Sequence, residues 1–233
     1  MTIEPPRRKP TGHVQIIALL VDKDDPATHI DAIHAAAKAS VNAYAEGRPH
    51  GSTQEDSWTR WLSGPFTKSV RRADAKTFAK LQAEHDPARA QVGKARAMAF
   101  KPTPYEELPK HLAKLQVSGT VLPDRDSDVA APRPVSSAAV RFNREPVLVL
   151  NGALDLTTGK ACAQAAHALM AFYLSLDAEG ARAWHNEGLP STALMADAAL
   201  FDELAATVPE DWRIKDNGLT EVAPGTMTAF VVA

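Results

Sequence analysis

Apolar and polar positions along the chain fall into blocks of strand and helix length, and the blocks recur in a fixed order. Residues 14–21 form an unbroken apolar run of strand length. A turn signal at 22–26 follows, and an alanine-rich stretch then predicts a helix over 28–44. Trp58 and Trp61 sit on a short helical turn that Gly64 and Pro65 end. Residues 66–70 read as a strand, 74–84 as a helix capped by Asp74, and 94–100 as another strand. Residues 105–116 predict a helix with Leu108, Leu112 and Leu115 on its apolar side. A spacer rich in proline, aspartate and serine covers 122–137, and the order then starts again. Residues 146–150 predict a buried strand and 158–176 a helix, and Trp184 precedes Gly188 and Pro190 as Trp61 precedes Gly64 and Pro65. Strand 192–196, helix 197–208 and strands 212–215 and 227–232 complete the series.

This recurrence, at a spacing of about 130 residues, predicts a diverged duplication of one α/β unit. The expected organisation is an arm at 1–11, a first unit at 12–121, a linker at 122–137 and a second unit at 138–233. The two units are expected to pack as an intramolecular pseudo-dimer, so that the protein acts as a monomer. A unit of under ~100 residues leaves apolar surface that such docking would cover.

Composition narrows the setting. The single cysteine, Cys162, excludes an internal disulfide framework and fits a reducing, cytoplasmic compartment. No run approaches the ~18 apolar residues of a membrane span, and the polar, proline-broken start lacks the apolar region of a signal peptide. Charge is unevenly spread: of 26 basic and 28 acidic residues, 147–233 hold 4 and 11, leaving 22 and 17 to residues 1–146. Any general attraction for a polyanion must therefore come from the first part. Lys68, Arg71 and Arg72 crowd a strand–helix junction there and are the candidates for a nucleic-acid backbone.

Two stretches of the last third carry the candidate chemistry. Residues 158–168, Thr-Gly-Lys-Ala-Cys-Ala-Gln-Ala-Ala-His-Ala, open a helix with Gly159 and Lys160, beside free N–H groups at the positive end of the dipole. Lys160, Gln164 and His167 share one helix face. Residues 216–228, Asp-Asn-Gly-Leu-Thr-Glu-Val-Ala-Pro-Gly-Thr-Met-Thr, form a polar turn running into an apolar strand. There Gly218 is expected to supply a positive φ, and Pro224-Gly225 a turn that re-aims the chain. A lysine at a helix start facing an Asp/Thr turn suits stabilising a developing oxyanion while a water is oriented. Ordinary turn capping is the alternative for Asp216, Thr220 and Thr228, as interior packing is for His167 and Cys162. A phosphate-binding loop does not fit, because six residues separate Gly152 from Gly159 and Ala161 stands at the hydroxyl position. The eight histidines are scattered without a metal-ligand spacing, and no Gly-x-Ser-x-Gly elbow occurs.

Together the two stretches resemble the type 2 (archaeal and eukaryotic) peptidyl-tRNA hydrolases, whose pattern is GK-x-A-A-Q-x-x-H-A followed by D-x-G-x-T-x-x-x-P-G-[ST]-x-T. The resemblance covers about residues 146–233, with Leu219 and Glu221 standing where the family has a basic residue and a glutamine. It implies a small α/β fold with a mixed, roughly four-stranded sheet and flanking helices. It implies hydrolysis of the ester joining a peptide to the 3′ ribose of tRNA, without metal or organic cofactor. Lys160, Asp216, Thr220 and Thr228 match the family's catalytic set, and Gly159, Gln164, His167, Gly218 and Gly225 its substrate-binding positions. The first unit lacks both motifs and is expected to be catalytically inactive. A non-catalytic RNA- or protein-binding module on the same fold is the alternative.

Overall fold

In the computed structural model, residues 12–124, 145–218 and 221–233 are described. The first part runs β1 (His13–Leu20), α1 (His29–Gly47), α2 (Ser57–Ser63), β2 (Thr67–Ala73), α3 (Ala75–His85), β3 (Ala88–Val92), β4 (Ala95–Ala99), β5 (Thr103–Pro104) and α4 (Lys110–Ala113). The second runs β6 (Val147–Asn151), α5 (Thr158–Ser175), α6 (Ala178–Asn186), β7 (Thr192–Ala196), α7 (Ala198–Ala205), β8 (Ile214–Lys215) and β9 (Met227–Val232). Each part builds its own mixed sheet, with strand orders β2-β1-β4-β3 and β7-β6-β9-β8. The first pair in each order is parallel and the other two antiparallel. The protein is thus α/β, with two similar units whose strands and helices follow one plan.

The likeness extends to how each helix begins. Thr28 and Thr157 cap α1 and α5, Asp56 and Asp177 cap α2 and α6, and Asp74 and Asp197 cap α3 and α7. In every case the side-chain oxygen accepts an N–H of the first turn, as these residue types favour. The tryptophans recur for one reason: Trp61 Nε1 donates to the Thr67 carbonyl at 2.7 Å and Trp184 Nε1 to that of Pro190 at 2.9 Å, six residues on in both units. Each indole closes a tight corner, where Phe66 and Leu189 adopt positive φ of 52° and 56°.

Layering explains the near-continuous apolar runs of β1 and β6. Val14, Ile16, Ala18 and Leu20 face a cluster with Phe78, Leu81 and Leu112, while Ile17 and Leu19 face the central core. Likewise Val147 and Val149 face Leu200, Phe201 and Leu204, while Leu148 and Leu150 face the same central core. Both faces of both sheets are covered, so strict polar alternation is not needed. The central core is formed by α1 and α5 lying side by side between the sheets, their alanines letting the backbones approach.

Their arrangement follows from which residues meet. The first helical residues, His29 and Thr158, are in contact (Nδ1···Oγ1 2.9 Å), and Tyr44 and Tyr173 pack edge to face with centroids 5.9 Å apart. Each pair joins equivalent positions, 129 residues apart. Equivalent residues meet at both ends only if the helices run parallel, with the pseudo-two-fold along them. This is the isologous contact of a symmetric dimer made within one chain.

Several expectations are corrected. Residues 105–116 are not one helix, because Pro109 divides a 3-10 turn (Tyr105–Glu107) from the four-residue α4. The first sheet has five strands, since β3 pairs with β4 and β5 with β1. Helix α6 leads into the tryptophan corner, and the strand expected over 212–215 is a 3-10 turn at Glu210–Trp212 ahead of a two-residue β8. The start of the spacer is packed: Leu122 is buried, as is Thr120 just before it, and Leu122 N–H donates to Thr158 Oγ1 at 2.9 Å. The remainder of 122–137 beyond Asp124, and the arm at 1–11, lie outside the described residues.

Candidate active site

Helix α5 begins at the Thr157 cap, which puts Lys160 in its first turn, with the Lys160 N–H on Thr157 Oγ1 at 3.4 Å. The cap is itself held from the polar turn: Glu221 accepts the Thr157 N–H at 2.8 Å and the Thr157 hydroxyl at 2.7 Å. A carboxylate at the positive end of α5 is favourable, so the glutamate that departs from the family pattern ties turn to helix.

The turn is built to aim Asp216. Its N–H donates to the Thr226 carbonyl at 2.9 Å, and its own carbonyl accepts from Gly225 N–H at 2.7 Å. Gly218 has φ of 72° and donates its N–H to Asp216 Oδ1 at 2.7 Å, and Gly225 has φ of 82°. Both glycines therefore stand where left-handed backbone is required. A Cβ on Gly218 would collide with the Pro224 ring, whereas one on Gly225 would meet open space. Gly218→Ala should accordingly destabilise the protein by about 1–3 kcal/mol and Gly225→Ala by about 1. Urea unfolding checks the order; equal costs would refute this account of the turn.

From this frame Asp216 meets α5. Lys160 Nζ is ion-paired with Asp216 Oδ2, and Gln164 Nε2 donates to the same oxygen at 2.7 Å. Thr228, buried on β9, donates its hydroxyl to Gln164 Oε1 at 2.8 Å and so fixes which way the amide points. The side chains of Lys160 and Asp216 are 13% and 5% exposed, so the ammonium is the member that reaches the surface. A charge-assisted contact in so dry a setting is strong and geometrically defined. Lys160 has three donors, and Asp216 takes one of them. On Asp216, Gly218 leaves Oδ1 with a lone pair to spare. The site can thus present a cation and a carboxylate oxygen to one incoming carbonyl and one water.

The structure brings Lys160, Gln164, Asp216, Gly218 and Thr228 together; Thr220 lies outside the described residues. Gly159 and His167 make no hydrogen bond to this network among the described residues. Gly159 has ordinary helical backbone and is buried against Thr120. His167 lies one turn beyond Gln164 and faces the first unit, where its Nδ1 is 3.2 Å from Lys68 Nζ and its ring 5.1 Å from that of Phe66. Burial, then the charges of Lys68 and Lys160, hold the imidazole well below its ordinary pKa. A neutral ring accepting at Nδ1 carries its proton on Nε2. Burial pushes the Cys162 thiol up, as suits a packing residue.

The basic junction of the first unit is also corrected. Lys68 is buried, its Nζ 3.5 Å from the Phe66 ring centroid and 4.4 Å from that of Trp61, and burial drives its pKa well below the ordinary lysine value. Arg71 is buried beneath α4, donating to the carbonyls of Leu112 and Ala113 at 2.8 and 2.9 Å. Three residues apart on β2, the two point to opposite faces of the sheet, and both faces are covered, which clustering in sequence does not reveal. Arg72 is half-buried and bonds Gln116 Oε1. No helix of the described residues is long and apolar enough to cross a membrane.

No solved structure matches the chain. Residues 145–233, the stretch that supplies every member of the Lys160–Gln164–Asp216–Thr228 network, match the family model of peptidyl-tRNA hydrolase PTH2.

Proposed function

We propose that the protein is a peptidyl-tRNA hydrolase, cleaving the ester between a peptide and the tRNA 3′ ribose in the cytoplasm. The observation that carries this reading is the Lys160–Asp216 pair, fixed by Gln164 and Thr228 at the start of α5. In the proposed reaction Lys160 stabilises the oxyanion that forms on the ester carbonyl. Asp216 holds the ammonium in place and, from Oδ1, orients the attacking water and takes its proton, which passes to the ribose 3′ oxygen as the ester C–O bond breaks. Thr228 acts through Gln164, and Thr220 completes the set by its match to the family pattern. Gly225 shapes the turn. These residues supply the charge and proton handling, so the proposed route uses neither metal nor organic cofactor.

We further infer that the first unit is a degenerate copy acting as a built-in partner subunit, which makes the active form a monomer. At the α1 positions equivalent to Lys160 and Gln164 stand Asp31 and Ala35, which offer neither the cation nor the amide. A cavity of about 430 Å³ lies on that side, lined by Asp31, His34, Lys38 and Ser191 among others. Lys68 of the first unit reaches His167, so the degenerate copy braces the helix that carries Lys160. With Lys68 and Arg71 buried, attraction for tRNA falls to exposed Lys76, Lys80, Arg89, Arg96 and Lys101.

The acidic balance of residues 147–233 favours a second reading, a non-catalytic RNA- or protein-binding module. Release of an N-blocked aminoacyl group from tRNA by the purified protein separates the two. Turnover that Lys160→Met abolishes is expected; no release above background at micromolar protein would leave the binding module.

A further inference from the structure

We propose that Glu84, His85 and His111 form a binding site for a divalent transition-metal ion of the zinc class, bridging α3 and α4. The two histidines are 26 residues apart in sequence, and the fold brings them together. Helix α3 and α4 cover the same outer face of the first sheet, with Phe78, Leu81 and Leu112 in one cluster beneath them. Glu84 and His85 end α3, and His111 lies in α4. Each offers one ligand atom, and the three atoms lie within 4.8 Å of one another.

A second observation points to a ligand. His111 Nε2 is shielded from solvent and has no hydrogen-bond partner among the described residues. Leaving a ring nitrogen dry and unpaired is costly, and coordination to a metal removes that cost. The His85 ring is stacked on that of His111, centroids 4.4 Å apart and planes 27° from parallel, so the two imidazoles are neighbours whose in-plane lone pairs converge on one ion once the exposed His85 swings out of the stack. Tetrahedral zinc with bonds of about 2.0–2.1 Å needs ligand atoms roughly 3.4 Å apart. Glu84 and His85 are exposed and free to close that gap by changing rotamer. The competing partner of Glu84 is Lys80 at 3.7 Å, an exposed pair that holds little.

The donor set selects the ion. Two imidazoles and one carboxylate suit Zn²⁺ and its neighbours, whereas Ca²⁺ and Mg²⁺ require oxygen shells. Three protein ligands leave a fourth position for water. The site belongs to the first unit and shares no residue with the Lys160 network, so it stands or falls independently of the proposed hydrolysis.

Calorimetric titration of the tag-free full-length protein with Zn²⁺ tests it, with Co²⁺ as a spectroscopic substitute. One equivalent should bind at micromolar or tighter dissociation constant, unmoved by excess Mg²⁺, and Co²⁺ should give the visible absorption of a tetrahedral site. His85→Ala, Glu84→Gln and His111→Asn should each weaken Zn²⁺ binding by at least about tenfold. Metal should also raise the melting temperature of the wild type more than that of His85→Ala. His85 is on the surface, so its variant reads the site even if the His111 variant fails to fold. Absence of saturable binding, or binding undiminished in His85→Ala, overturns the proposal.

Discussion

Lys160→Met should lower turnover on peptidyl-tRNA by at least about 100-fold, equivalent to roughly 2.7 kcal/mol of barrier. The reason lies in where the charge sits. The ammonium is held beside Asp216, at the one point of the network that reaches the surface. Removing it deletes the group on which the developing oxyanion would settle. The same substitution strips Asp216, 5% exposed, of its cation, so the variant should also melt lower. A loss of activity could then be mistaken for a loss of structure. The double variant Lys160→Met/Asp216→Asn separates the two effects. An amide at 216 removes the uncompensated buried charge, and its one oxygen still accepts from Gly218 or from Gln164, so melting should recover in part. Turnover should not recover, because neither the cation nor the carboxylate is restored. If Lys160→Met kept near-normal turnover, or if activity returned in step with melting, the pair would be a structural ion bridge and the site assignment wrong.

What the sequence made legible depended on how local the cause was. The cap Asp74 was read from the sequence and acts on the N–H three residues on; Thr28 and Thr157 cap in the same way, and the helices begin within a residue of where expected. Gly218 was legible for the same reason, since its positive φ belongs to a turn closed within nine residues. The recurring order of strand, helix and tryptophan corner was legible because both units keep it. Strand β3 was missed because Ala88–Val92 is half exposed and lacks an apolar run; its place is set by pairing with β4. The helix expected over 105–116 failed at Pro109, a breaker that outweighs the apolar spacing around it. In the site, Gln164 could be placed on the face of Lys160 from spacing alone. Its bond from Thr228 joins residues 64 apart and rests on the tertiary fold. Lys68 and Arg71 show the opposite limit: a basic cluster reads as surface, yet β2 buries both side chains, one against His167 and one beneath α4. No periodicity in one chain segment reports what a second unit will lay over it.

The buried and half-buried histidines where the units meet should make the protein acid-sensitive between about pH 6.5 and pH 4. His34 is the clearest case. It is 7% exposed, with Nε2 2.8 Å from Ser191 Oγ of the other unit. Burial, then the nearby Lys38, lower its pKa from 6.5 to about 4. The sign follows from proton binding. Between those values the unfolded chain holds a proton on His34 that the folded protein refuses, so acidification favours unfolding. The penalty is absent above pH 6.5, grows as pH falls and is complete near pH 4, where it reaches roughly 3 kcal/mol. His29, on Thr158, and His167, on Lys68, are lowered in the same sense and should add to the loss. His34→Gln keeps a polar group for Ser191 and cannot titrate. Urea unfolding at pH 7.5 and 4.5 should therefore show wild type losing more stability on acidification than His34→Gln, by on the order of 2–3 kcal/mol. Equal losses in the two proteins would mean that the contact between α1 and Ser191 opens to water before His34 titrates, and that the α1 side of the unit interface is looser than its packing implies.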